Sequence, residues 1–113
     1  MAQLGRLSRE LITQVLSQGV SVRSPYFLVK IAKLNQLLPN TTGLAVIVPA
    51  KVFKQAVVRN RVKRQIRGCL IKLKSKLKPG YGTVFFGQVG IIKVSPSVLF
   101  KEITKALHDL ITL

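Results

Sequence analysis

From Lys51 to Lys78 the chain reads KVFKQAVVRNRVKRQIRGCLIKLKSKLK, which holds eleven of its nineteen Lys and Arg residues and no acidic residue. Wound as a helix from Ala56 to Leu77 at about 100° per residue, it aligns Val58, Val62, Ile66, Cys69, Leu70, Leu73 and Leu77 in one apolar stripe. Such a stripe must be buried against a second layer, so the segment predicts a core helix and not a basic tail. The other side gathers Asn60, Lys63, Arg64, Arg67, Lys74 and Lys78, with Arg61 and Lys72 on one flank and Arg59 in the first turn. Cations three or four positions apart repel one another, and no Glu or Asp is interposed to offset them. A face kept for solubility is ordinarily of mixed sign, so a face of one sign points to a polyanionic partner.

The rest of the composition narrows the chemistry. With 113 residues and 48% hydrophobic residues the chain predicts a single domain, 1–113, with a real core, and not a disordered basic segment. A net charge of +16 would bring it to nucleic acid or an anionic surface. Glu10, Glu102 and Asp109 are its only acidic residues, too few for the carboxylate cluster that a metal-dependent protein nuclease needs. No metal ligand set is predicted on the protein. The lone Cys69 lies on the apolar stripe, which predicts a buried thiol and excludes an intrachain disulfide. His108, beside Asp109, reads as ordinary surface. Arg6, Arg9 and Glu10 interrupt what would have to be the apolar core of a signal peptide, and no run approaches about 18 apolar residues. The expectation is a soluble cytoplasmic protein without a membrane partner.

In chain order, Ser8 caps a predicted helix that runs through Gln18 and stops at Gly19. Val20 to Asn35 has strand character and can divide in two, with Tyr26, Leu28 and Lys30 on its more open side and Phe27, Val29 and Ile31 on the other. The turn-rich stretch at 38–43 leads to Leu44–Val48, read as the hairpin partner of that strand. After the basic helix, Pro79-Gly80 is a stop and Tyr81 to Ile92 reads as a buried strand with Gly87 and Gly90 at its end or in a bulge. Ser95-Pro96 opens a final helix with Leu99, Ile103, Ala106, Leu107 and Leu110 as its stripe. The fold class is α+β, a two-layer α/β sandwich of order α-β-β-(β)-α-β-α.

Arg59-Asn60-Arg61-Val62-Lys63-Arg64-Gln65-Ile66-Arg67 closely resembles the signature of the bacterial ribonuclease P protein subunit: Arg-Asn-Arg, an apolar residue, Lys-Arg, then Arg three positions on. Val48-Pro-Ala-Lys51-Val-Phe-Lys54 resembles the basic turn before it, and Pro25-Tyr26-Phe27 the family's first strand. The resemblance implies a ribosomal-protein-like sandwich with a left-handed crossover through the basic helix. It also implies an accessory subunit, one to one with a catalytic RNA that holds Mg2+ and removes the 5′ leader of precursor tRNA, the protein alone being non-catalytic. Carried over by position, Arg59, Asn60, Arg61, Lys63, Arg64 and Arg67 would touch the RNA subunit, with Lys51 and Lys54 extending that contact. Tyr26, Leu28, Lys30 and Lys51 would line a leader cleft between the first helix and the sheet. The family's aromatic residues on the first helix are Ile12 and Leu16 here; a strand Tyr is Lys30, a Lys before the central helix is Ala50, and an Arg after the last strand is Gln88. The alternatives are a ribosomal or general structured-RNA-binding protein, a peripheral membrane protein held by the amphipathic basic helix, and an independent protein nuclease, which the carboxylate count disfavours.

Overall fold

The computed structural model describes residues 3–111, with side chains from Leu4 to Leu110. Its elements are β1 (Gln3–Arg6), α1 (Arg9–Gln18), β2 (Val20–Arg23), β3 (Phe27–Lys33), β4 (Thr41–Ile47), α2 (Ala56–Lys72), β5 (Tyr81–Gly87) and α3 (Pro96–Ile111), with short 3-10 turns at Lys74–Lys76 and Val89–Ile92. The α+β class predicted from the sequence is the one observed. One five-stranded sheet has the order β1-β4-β5-β3-β2. β5 runs parallel to β4 and antiparallel to β3, and β1 joins β4 in parallel at the edge.

The two sides of the sheet carry separate apolar clusters. On one side Phe27, Val29, Ile31, Val46 and Phe85 pack against Val62, Ile66 and Leu70 of α2 and Leu99 and Ile103 of α3. Phe27 and Phe85 meet with ring centroids 5.6 Å apart, tilted by 55°, a favourable aromatic geometry. On the other side α1 places Val15 with Leu7, Ala32, Leu34 and Val84. Ser8 and Ser95 cap α1 and α3, their hydroxyls accepting from the amides of Leu11 and Val98, both at 3.3 Å.

Four details differ from the sequence reading. β1 was not anticipated, because a four-residue edge strand containing Gly5 has too few positions to show a period of two. Leu44–Val48 is not a hairpin partner of β3: β5, uncharged and covered on both faces, lies between β4 and β3. The helical geometry of α2 ends at Lys72 and not at Leu77; Leu73 caps it and a 3-10 turn follows, although Leu73 and Leu77 stay buried as the stripe required. The last strand ends at Gly87, where the amide of Gln88 turns to donate to the Tyr26 carbonyl at 3.0 Å. The division of Val20–Asn35 is present: the Ser24 hydroxyl accepts from the amides of Tyr26 and Phe27 and closes the β2–β3 hairpin. Gly80 takes φ of 85°, which suits glycine, immediately before β5.

Candidate nucleic-acid interface

α2 presents its polar side to solvent. Asn60, Arg61, Arg64 and Arg67 are exposed, Lys63 is half-buried beside the apolar stripe, and Val62, Ile66 and Leu70 are fully buried. The stripe therefore orients the cations: burying one side of a rigid helix against the sheet and α3 leaves the other no choice of direction. Val57 and Ile71 are apolar yet 78% and 63% exposed on that outer side, so the surface is not built for water alone. A β-carbon added at Gly68 would meet nothing within 4 Å, so no packing within the chain requires glycine there.

Arg59 differs from the other arginines. Its Nη1 donates to the carbonyls of Phe53 at 2.7 Å and Lys54 at 3.1 Å, so half of its fork is spent on the turn that precedes the helix. Phe53 is buried, and its amide and that of Val52 return to the Pro49 carbonyl. This anchored turn leaves Lys51 and Lys54 exposed beside the start of α2. The helix begins without a side-chain cap and with no acidic residue in its first turn, so its free amides point to the same place as these lysines. Burial pushes the Cys69 thiol up from its ordinary pKa, with the nearby Lys72 charge partly opposing; the residue is half-buried, less enclosed than its place on the apolar stripe predicts.

The second surface lies on the α1 side of the sheet. Gly82 is what lets α1 sit there: a β-carbon on it would come within 2.5 Å of Leu34 and 3.0 Å of Val15. α1 thus covers the end of the sheet where Gly82, Ala32 and Gly43 are paired across three strands. Toward the opposite end the register sets Arg23, Leu28, Phe86 and Ile47 side by side across β2, β3, β5 and β4. Leu28, Phe86 and Ile47 are half-buried and Arg23 is exposed, so this row floors an open trough.

Of the residues the sequence reading placed in a cleft, Leu28 lies in this row and Lys30 one pair further in. The Lys30 ammonium donates to the Leu16 carbonyl at 3.0 Å, tying the negative end of α1 to the sheet. Tyr26 precedes β3, half-buried against the α2 side cluster, and Lys51 follows β4 at the same end of the sheet as the row. The sequence reading missed Phe86, Arg23 and Arg6. Phe86 is the second of two adjacent phenylalanines in an uncharged strand, and alternation alone assigns one of them to the opposite face from the core residue Phe85. Arg6 shares a concavity of about 340 Å³ with Arg67 and Ile71, a placement that depends on the unanticipated pairing of β1 with β4. Among the described residues no three His, Cys, Asp or Glu side chains gather into a metal-holding group, and no helix is long and apolar enough to cross a membrane.

A basic α+β domain with a one-signed helix and an open, cation-edged sheet trough belongs to the class of nucleic-acid-binding proteins. The chain belongs more narrowly to the ribonuclease P protein family, whose model, described as Ribonuclease P, matches residues 3–111. The ribonuclease P protein component of Synechococcus elongatus is 32% identical over 65% of this chain and 57% of its own length, so the match spans little more than half of that relative. That of Clostridioides difficile is 31% identical over 87% of this chain and 80% of its own length. The ribonuclease P protein from Thermotoga maritima superposes with a TM-score of 0.76 at 22% identity, covering 91% of this chain and 94% of that one, and so shares the fold.

Proposed function

We propose that this chain is the protein subunit of a ribonuclease P holoenzyme that removes the 5′ leader of precursor tRNA. The observation that carries the reading is the exposed face of α2, on which Asn60, Arg61, Arg64 and Arg67 of the Arg-Asn-Arg, Lys-Arg, Arg pattern are held by a buried stripe in a chain of this family. Arg61, Arg64 and Arg67 grip phosphates of the catalytic RNA, because a planar guanidinium can pair two phosphate oxygens at once. Asn60 reaches sugar or base edges, and Lys63, Lys51 and Lys54 add point charges. Arg59 contributes chiefly by holding the turn that carries Lys51 and Lys54.

The precursor's leader lies in the trough floored by Leu28, Phe86 and Ile47, with Arg23 and Lys30 supplying positive charge and Lys51 at the same end of the sheet; Tyr26, packed on the α2 side, takes no part in it. Phe86 gives unstacked bases an aromatic surface that Ile12 and Leu16 of α1 do not. With Glu10 on α1 and Glu102 and Asp109 on α3, the protein's carboxylates are scattered. Magnesium, which would activate the attacking water, would accordingly be held by the RNA, and the protein, one copy per RNA, positions both RNAs. It works where that RNA does, in the cytoplasm.

The test is multiple-turnover cleavage of a precursor tRNA at low magnesium by a bacterial ribonuclease P RNA. Wild-type protein stimulates correct 5′ cleavage, the Arg61→Ala plus Arg64→Ala variant does not, and protein without RNA is inert. Binding to that RNA without stimulation, repeated with the cognate RNA, would instead favour a general structured-RNA-binding protein.

A further inference from the structure

Against α3, on the side of the sheet away from the trough, the end of α2 and the 3-10 turn after it leave a groove of about 680 Å³. Leu73, Phe100 and Leu107 form its apolar floor, and Lys76, Lys101 and Lys105 stand exposed at its rim. The Lys72 ammonium lies 5.8 Å from the centre of the Phe100 ring, which connects the groove to the cationic flank of α2. At about 100° per residue, α3 turns Lys101 and Lys105 toward α2, while its two acids, Glu102 and Asp109, fall on the flank beyond Lys105. Both acids adjoin Lys105 on the helix surface, so the lysine rim is uninterrupted on the groove side alone.

We infer that this groove is a second RNA-binding surface, which takes an unpaired nucleotide of the catalytic RNA with its base on the apolar floor and its flanking phosphates on the lysine rim. The inference rests on the reading of α2 as the docking helix, since it extends the same RNA footprint across Lys72 onto α3. A nucleobase has apolar faces and a phosphate on either side, which is the pattern the groove complements. An acidic amphipathic peptide would satisfy the same charges. Continuity with the docking helix favours RNA.

The test is equilibrium binding of the full chain to an in vitro transcribed bacterial ribonuclease P RNA across a salt series. The variants are Lys76→Ala with Lys101→Ala and Lys105→Ala, a charge-matched control of Arg9→Ala with Lys33→Ala and Lys93→Ala, and Arg61→Ala with Arg64→Ala. All eight side chains are exposed, so each variant should fold. Losing the contacts to the two phosphates that flank one nucleotide lowers the magnitude of the log-log salt slope by about 1.4 to 1.8 and weakens binding on the order of several tens of fold at 0.1 M salt. The control should move far less. A rim variant that behaves like the control, while the arginine pair weakens binding, overturns the inference and leaves the proposed function standing. If neither the rim variant nor the arginine pair weakens binding, the proposed function fails and the inference with it. Photocrosslinking from p-benzoylphenylalanine in place of Thr104, inside the groove, should map to unpaired nucleotides; crosslinks from Arg64 replaced likewise but none from position 104 would overturn the inference independently.

Discussion

Replacing Arg59 by Ala should destabilise the protein before it affects any RNA, unlike replacement of the other arginines of the helix. Arg59 makes two charge-assisted hydrogen bonds, at 2.7 and 3.1 Å, to the carbonyls of Phe53 and Lys54. Bonds to charged groups contribute roughly 1.5 to 3 kcal/mol each when buried. Arg59 is half-buried and the Lys54 bond is exposed, so water can replace part of what is lost. The expected net loss is about 1 to 2 kcal/mol, and at about 4 to 5 °C per kcal/mol for a domain of this size the melting temperature falls by roughly 4 to 10 °C. Arg64→Ala, whose side chain is exposed, should stay within about 0.5 kcal/mol of wild type. Urea unfolding followed by circular dichroism measures both. A double-mutant cycle of Arg59→Ala with Lys54→Ala for RNA binding then separates direct contact from positioning. Coupling above about 0.5 kcal/mol is expected if Arg59 acts through the turn. An Arg59→Ala protein as stable as wild type, with additive effects on binding, would refute the clamp.

Gly68→Ala should raise stability by about 1 kcal/mol, because alanine is the better helix former and the added methyl group would meet open space; an unchanged or lowered urea midpoint would contradict this. Cys69 should alkylate more slowly at pH 8 in the folded protein than in urea, as burial raises its pKa and withholds the thiolate. In the same direction, its contribution to stability is complete below the thiol's unfolded pKa and declines as pH rises toward the folded one, so a Cys69→Ala variant should lose less stability than wild type between pH 8 and pH 10.

What was legible in the chain was whatever repeats with a helical or strand period. The apolar stripe of α2 predicted both its burial and the direction of its cations, and Val62, Ile66 and Leu70 are fully buried as that stripe demands. The alternation in β3 placed Phe27, Val29 and Ile31 inward and Leu28 and Lys30 on the other face. Caps at Ser8 and Ser95 could be read because a hydroxyl before an apolar run has a local use. Less visible were features with no period: the short β1, the 3-10 turn after Lys72, and the neighbours of β4, since strand pairing brings together residues far apart in sequence and leaves no local mark.

The sequence by itself determined that one helix would carry a buried side and a cationic side, because burial and charge are both properties of residues at fixed helical spacing. Tertiary structure alone decided what stands next to what. Inserting β5 between β4 and β3 set Ile47, Phe86 and Leu28 in one row and opened the trough. Edge pairing of β1 brought Arg6 to Arg67. The Arg59 side chain was turned back onto its own turn, and α3 came to lie where its lysines face the end of α2. These are long-range contacts, selected by the joint packing of two apolar clusters on opposite faces of one sheet, and packing of that kind is a property of the assembled chain and not of any segment within it.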